Sequence, residues 1–273
     1  MRKSYSKESN LTRKTLLEQR RELLASIKYA SFIQQAVLPD NKSISRILND
    51  YFILYMPRDI VSGDFYYVSR KEEYIIAAAG DCTGHGVPGA LMSIMGISFL
   101  NEILSSRGSS PKAGSILNLL RERVMKVLHQ TGKDEENKDA IDMSLCVFDP
   151  RNNELQFSGA NNSLYHIRKK VLTEIKADNM PVGVHAIEEE SFTSKSMILK
   201  KDDVIYIFSD GFADQFGGPL GKKFKYGPLK NLLIDISDAP MKKQKEALEK
   251  AITDWRGIED QVDDILVFGI KFV

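Results

Sequence analysis

Apolar residues near the start of the sequence recur on one helical face. Leu16, Leu23, Ile27, Ala30, Ile33 and Val37 are separated by 7, 4, 3, 3 and 4 residues, the spacing of a heptad seam. Arg20, Arg21, Glu22, Lys28, Gln34 and Gln35 lie between them, and Pro39 stops the run. The pattern predicts one helix over residues 11–38, about 40 Å long at about 1.5 Å per residue. Such a helix either folds back onto the core of its own domain or forms a dimerising stalk. Its position ahead of every strand signal, and its abrupt end, favour the stalk.

From residue 50 the period changes. YFILYMP and YIIAAAG read as strands, and residues 88–104 are apolar on nearly every side, as a buried helix is. Residues 112–130 predict an amphipathic helix with Ile116, Leu117, Leu120, Val124, Val127 and Leu128 on its apolar face. TGKDEENKD reads as a solvated loop. MSLCVFDP and NELQFSG read as strands around the turn Asp149-Pro150-Arg151-Asn152. SLYHIR and KVLTEIK predict the next hairpin, and residues 191–199 and DVIYIFSD add strands. MKKQKEALEKAITDW predicts a polar-faced helix and DILVFGIKF a last strand. The strands follow one another through short turns and do not alternate with helices. The expected fold is therefore α+β, with antiparallel sheets and helices packed outside. The expected division is a linker or dimerisation helix over residues 1–40 and a globular domain over 41–273.

Composition narrows this only slightly. With 273 residues, 42% of them hydrophobic, the chain makes one large domain or two small ones. A net charge of +1 gives no general attraction to nucleic acid or anionic membranes, and no basic, aromatic-studded stretch suggests nucleic-acid binding. The two cysteines, Cys82 and Cys146, argue against a disulfide framework and suit a reducing cytoplasm. Both read as small buried residues, not nucleophiles. No apolar stretch approaches the ~20 residues of a bilayer span, and MRKSYSKESN lacks the apolar centre of a signal peptide.

Candidate chemistry begins at GDCTGHGVPGAL, residues 80–91. It contains GHGVPG, a G-x-G-x-x-G between two apolar runs, the context of a dinucleotide-binding loop. That motif also requires an acidic residue about 20 positions on, after a second strand. The nearest, Glu102, falls within the following helix. Asp81 beside the loop would also oppose a bare phosphate. Carboxylates give the better lead. Asp64 lies just beyond YFILYMPRDIVSG, Asp81 ends YIIAAAGD, Asp210 ends DVIYIFSD, and Asp263 and Asp264 open DDILVFGI. Glycines adjoin Asp64, Asp81 and Asp210, allowing unusual backbone angles and close approach of a ligand. Two carboxylates at about 4 Å repel by about 4 kcal/mol at an effective dielectric near 20, so four together require cations. Oxygen ligands without clustered His or Cys suit Mg²⁺ or Mn²⁺ better than Zn²⁺.

VSGDF, GDCTGHGVPGALMS, GANNSLYHIR, MPVG, SDGFADQFGG and QVDDILVFGI occur in the order found in SpoIIE-like phosphatases. Over residues 30–273 the chain thus resembles these bacterial members of the metal-dependent (PPM, type 2C) serine/threonine phosphatases. The resemblance implies an αββα sandwich with a Mn²⁺ or Mg²⁺ centre of two ions between the sheets. It implies hydrolysis of phosphoserine or phosphothreonine by metal-bound water, on a signalling protein such as an anti-sigma-factor antagonist. By position, Asp64, Asp81, Asp210 and Asp263 are the implied metal ligands, with the Cys82 carbonyl as a further one. Asp264 is then placed to orient a metal-bound water, and Gly84 and Gly86 to let the backbone turn tightly. Many relatives carry Thr after the acidic pair, where this chain has Ile265 and Leu266. A helix ahead of the catalytic domain often joins such phosphatases to a sensor or dimer module, so a homodimer through residues 1–40 is expected.

Other residues keep two readings. His85 packs in or caps a tight turn, or acts as a general acid. Asp142 is a solvated turn residue or binds a third cation. Asp214 and Gln215 follow Asp210 and are expected to shape the substrate groove, while Asn161 and Asn162 are expected to build a turn. Arg58 meets the substrate phosphate or a surface carboxylate. Two other functions compete: a catalytically silent interaction module on the same fold, and a metal-dependent nucleotide-processing enzyme, for which no base-binding pocket is evident.

Overall fold

Alternate residues of β3 (Tyr74–Cys82) enter two different cores. Ile75, Ala77 and Ala79 face one apolar cluster, and Ile76, Ala78 and Cys82 face another. Side chains alternate across a strand, so a strand covered on both faces reads as an unbroken apolar run. In the computed structural model, which describes residues 2–106, 110–132, 138–185 and 191–272 with side chains from residue 13 onward, this pattern organises the whole domain.

One five-stranded sheet has the order β2 (Phe65–Lys71), β3, β4 (Ile141–Asp149), β5 (Glu154–Ala160), β8 (Lys195–Ile198). The other has the order β1 (Asp50–Met56), β12 (Ile265–Lys271), β9 (Val204–Phe208), β6 (Leu164–Arg168), β7 (Val171–Ile175). All these pairings are antiparallel. The sheets pack face to face over Val68, Ile75, Phe157, Ile205, Ile207 and Phe268. Helices α3 (Gly86–Ser105) and α4 (Ala113–Val127) cover the β3 sheet through Phe65, Ile97, Leu100 and Leu117. Helices α6 (Tyr226–Ile236) and α7 (Met241–Arg256) cover the β9 sheet through Tyr206, Phe212, Leu233 and Leu248. The result is the αββα sandwich that the resemblance implies.

Helix α1 (Arg2–Val37) is longer than its heptad pattern suggested. Only its C-terminal end packs on the domain. Gln34 and Leu38 are buried in the domain, whereas Leu16 and Leu23 are 65% and 61% exposed. The seam leucines therefore lie in solvent, on a rod that leaves the domain.

Some expectations need amending. Among the described residues, α3 with its 20 residues is long and apolar enough to cross a membrane, contrary to the sequence reading. Half of it is buried against α1, α4, β2 and β3, as the core helix of a domain is. The strand expected over 191–199 shortens to β8. β2 and α6 were not foreseen: FYYVSRK mixes polar and apolar residues, and α6 opens with Tyr-Gly-Pro, which reads as a turn. Also unforeseen were α2 (Asn41–Ser45), α5 (Gly211–Asp214) and the hairpin of β10 (Phe216–Gly217) and β11 (Lys222–Lys223). Residues 133–137 of the TGKDEENKD loop lie outside the described residues.

Candidate active site

The loop that opens α3 owes its glycines to backbone geometry. Gly84 and Gly86 have φ of +83° and +64°, the left-handed region where a side chain is strained. A Cβ on Gly63 would lie 2.6 Å from the Gly84 carbonyl oxygen, and one on Gly89 would strike that same oxygen and lie 2.8 Å from Gly63 Cα. Gly63, Gly84 and Gly89 thus pack backbone to backbone, bringing the segment before Asp64 against the loop after Asp81. The G-x-G-x-x-G match serves this close packing.

A cleft of about 370 Å³ opens at the same end of the sandwich. Asp81, Asp142, Asp210 and Asp263 line it, together with Cys82 and His85; Lys138 supplies a basic side chain against these four carboxylates. Asp81 and Asp142 face each other across the β3–β4 pair, a placement that ordinarily destabilises a sheet. Asn161, whose Nδ2 donates to Asp142 Oδ1 at 2.8 Å, is a further wall. Asp210 and Asp263 come from the other sheet. A Cβ on Gly211 would collide with the Asp264 carbonyl oxygen, so glycine is required where these two chain segments touch. Asp64 is buried behind the cleft and is not part of its wall. Its Oδ2 accepts from Ser209 Oγ at 2.5 Å, and the same Oγ accepts from the Leu266 amide at 2.9 Å. Ser209, which the sequence reading passed over, therefore ties Asp64 to the opposite sheet.

The carboxylates share one field. Burial, then the charge of Asp81, holds the Asp64 carboxyl well above the usual range, against the Ser209 bond. Asp81 is raised by burial and by Asp210, Asp263 and Asp142. Asp210 is pushed up to about 6 by burial and by Asp263. Burial raises Asp142 and Asp263, the latter countered by the Asp264 amide, Arg58 and His85. Carboxylates that resist ionising together, with oxygen donors alone, fit a hard divalent cation. Among the described residues, no three His, Cys, Asp or Glu side chains already stand as a ligand set. The fit is one of charge and donor type, not of a preformed shell.

The remaining candidates divide. Asp264 is committed elsewhere: its two oxygens accept from the Arg58 and Gly63 amides at 2.7 and 2.8 Å. It braces the Asp64 segment and is not free to orient a water. Gln215 is fully buried, donating to the Phe216 and Asp260 carbonyls and accepting from the Val262 amide, so it braces the segment ahead of Asp263 and does not line the cleft as expected. Asp214 pairs with Lys223 at 2.6 Å. His85 lies on the wall with Nδ1 2.9 Å from Asp59 Oδ2, and makes no side-chain cap of α3. Asn161 does build a turn, at φ +58°. The Cys82 thiol faces the core, and burial drives it far up.

Residues 71–273 match the family described as Stage II sporulation protein E (SpoIIE). The chain belongs to the SpoIIE family, within the PPM phosphatases. It is 24% identical over 206 residues to the phosphoserine phosphatase RsbU of Bacillus subtilis, covering 73% of this chain and 57% of that protein. The chain thus spans just over half the length of that curated relative. The SiaA-PP2C domain of Pseudomonas aeruginosa superposes with a TM-score of 0.84 at 30% identity, covering 93% of this chain and 99% of that one. A more distant fold neighbour, at TM-score 0.58 and 14% identity over 81% of this chain and 96% of that one, is the catalytic domain of the serine/threonine phosphatase PstP in complex with two manganese ions.

Proposed function

We propose that this SpoIIE-family chain is a metal-dependent protein phosphatase that removes phosphate from phosphoserine or phosphothreonine of a signalling protein. The observation that carries the reading is the meeting of carboxylates from both sheets at one cleft whose basic groups do not balance them. Asp64, Asp81, Asp210 and Asp263, with the Cys82 carbonyl, would hold two Mn²⁺ or Mg²⁺ ions; Asp142 is the candidate for a third. Bound there, such cations acidify a water, orient the phosphate and offset its developing charge. The chain's own groups position the rest. Asp264 and Ser209 fix the segments carrying Asp64 and Asp210, and Arg58, whose charge reaches Asp263, offers a cation to the phosphate oxygens.

The name of the RsbU relative supports a phosphoserine-bearing substrate, and by analogy an anti-sigma-factor antagonist. Homodimerisation through α1 and a cytoplasmic location complete the proposal. The test is hydrolysis of p-nitrophenyl phosphate with Mn²⁺, Mg²⁺ or EDTA, beside Asp81→Asn. Turnover that requires metal and is lost in the variant supports the reading. Calorimetry showing no metal uptake, with no turnover, would replace it by a silent interaction module.

A further inference from the structure

The sandwich has a second mouth, at the other end of the strands that carry the acidic cleft. Asp81 ends β3 at the acidic mouth, and Ile75 lies at the opposite one, about 20 Å back along the strand. A cleft of about 370 Å³ opens there. Its apolar walls are Ile75 and Phe148 of one sheet, Ile270 and Phe272 at the end of β12, and Ile47 beyond α2. The Phe148 and Phe272 rings meet edge to face with centroids 4.9 Å apart. Both rings and Ile47 are only partly covered, so each keeps surface for a ligand.

The charge here is the reverse of that in the acidic cleft. Arg46, Arg70 and Lys271 line the wall, and among the described residues no Asp or Glu does. Lys271 is already met by Asp202 at 3.2 Å, and the neighbouring Asp149 is held by Arg151. Arg46 and Arg70 are exposed, and neither guanidinium has a hydrogen-bond or ion-pair partner among the described residues. That sets them apart within the domain. Arg121, Arg123, Arg151, Arg168 and Arg256 each donate to an acceptor, and Arg58 stands in the field of Asp263.

A guanidinium is a planar fork that matches two oxygens of a carboxylate or phosphate. Two forks without a carboxylate of their own, beside partly open aromatic and aliphatic side chains, suit an oxyanion that carries an apolar body. The volume lies in the range of small-molecule sites, about 300–1,000 Å³. A cation would be repelled, and a bare inorganic anion would leave the rings uncovered. We propose that this cleft binds a small organic anion, its carboxylate or phosphate head held by Arg46 and Arg70 and its apolar body laid on Ile47, Phe148 and Phe272. The inference stands on these residues alone and does not need the phosphatase reading.

The probes are anilinonaphthalene sulfonate, an aromatic body with an oxyanion, and phenylnaphthylamine, the same body without charge. Each is titrated by fluorescence into the full chain. Arg46→Glu combined with Arg70→Glu should weaken the sulfonate by about ten-fold or more and phenylnaphthylamine by less than about two-fold. Asn49→Trp, from an exposed position on the wall, should weaken both probes. A melting temperature equal to wild type checks the fold, and Arg46→Gln with Arg70→Gln repeats the test if charge reversal lowers it. Equal affinity for the two probes in wild type, or sulfonate binding unchanged by charge reversal, would overturn the site. Laurate and adenosine monophosphate are then competed against the sulfonate. Displacement by laurate alone supports the site with an acyl body, and displacement by the nucleotide alone supports it with a planar one. Displacement by inorganic phosphate but by neither organic anion would overturn the apolar half of the proposal.

Discussion

Gln34 grips both backbone polar groups of Ser62: its Nε2 donates to the carbonyl at 2.6 Å and its Oε1 accepts from the amide at 3.1 Å. The same Nε2 meets Ser93 Oγ at 2.8 Å, and Ser62 Oγ accepts from the Asp64 amide at 3.1 Å. α1 is thereby bonded to the segment that carries a candidate metal ligand. Gln34→Ala should leave buried donors and acceptors unpaired and cost about 1–3 kcal/mol. Urea unfolding checks this, and a midpoint equal to wild type would refute it. Metal-dependent turnover should fall in the same variant, because Asp64 loses its brace.

Gly89→Ala should cost about 1–3 kcal/mol, because the added Cβ drives into the Gly84 carbonyl and the Gly63 backbone. Gly86→Ala meets open space apart from Asp59 Oδ2 at 3.5 Å, so it pays for its left-handed backbone alone, about 1–2 kcal/mol. Thermal melts of the two variants test this ranking. Turnover should suffer more in Gly89→Ala, where the Asp64 and Asp81 segments are pushed apart.

In the metal-free protein Asp210 titrates at about 6, above its ordinary 3.8. Between those values the folded chain holds a proton that the unfolded chain has released, so this group's contribution to stability falls as pH rises through the window. Asp149 and Asp203, held low by their arginine partners, act in the opposite sense. The informative measurement is therefore the difference between wild type and Asp210→Asn in EDTA. Wild type should lose melting temperature relative to the variant from pH 3.8 to about 6. Mn²⁺ added above that window should raise the wild-type value by mass action and raise that of Asp210→Asn less. Parallel curves would count against the shared-field account.

Leu23→Asp combined with Ile27→Asp should shift the oligomeric state if α1 is a dimer element. Leu23 is exposed on the rod and Ile27 only partly covered, so neither substitution opens the domain core. Sedimentation velocity checks the state and calorimetry the fold. An unchanged sedimentation coefficient would remove α1 from any homodimer.

Most strands, and the outer helices α3, α4 and α7, were legible because period-two and helical patterns are local. The four acidic strand ends were legible as motifs. What escaped depended on contacts between distant segments. Nothing near Asp264 announces that its oxygens are taken by amides about 200 positions earlier, and Ser209 and Gln34 are ordinary polar residues until the two sheets dock. α6 was hidden by its Tyr-Gly-Pro opening, and the apolar α3 was read as buried without its spanning length being noticed.

The order of the β9 sheet sets a timetable for biosynthesis. β12, which follows the other described strands in sequence, sits between β1 and β9, and among the described strands β1 pairs with β12 alone. As the ribosome delivers the chain, β1 emerges early and waits for a partner encoded about 200 codons later, and such long-range pairing is slow and exposes strand edges meanwhile. Asp263 and Asp264 precede that strand directly. The acidic cleft therefore cannot be completed on a nascent chain until β12 has cleared the exit tunnel, and a chain cut short of Asp263 lacks part of the second sheet's share of the carboxylates.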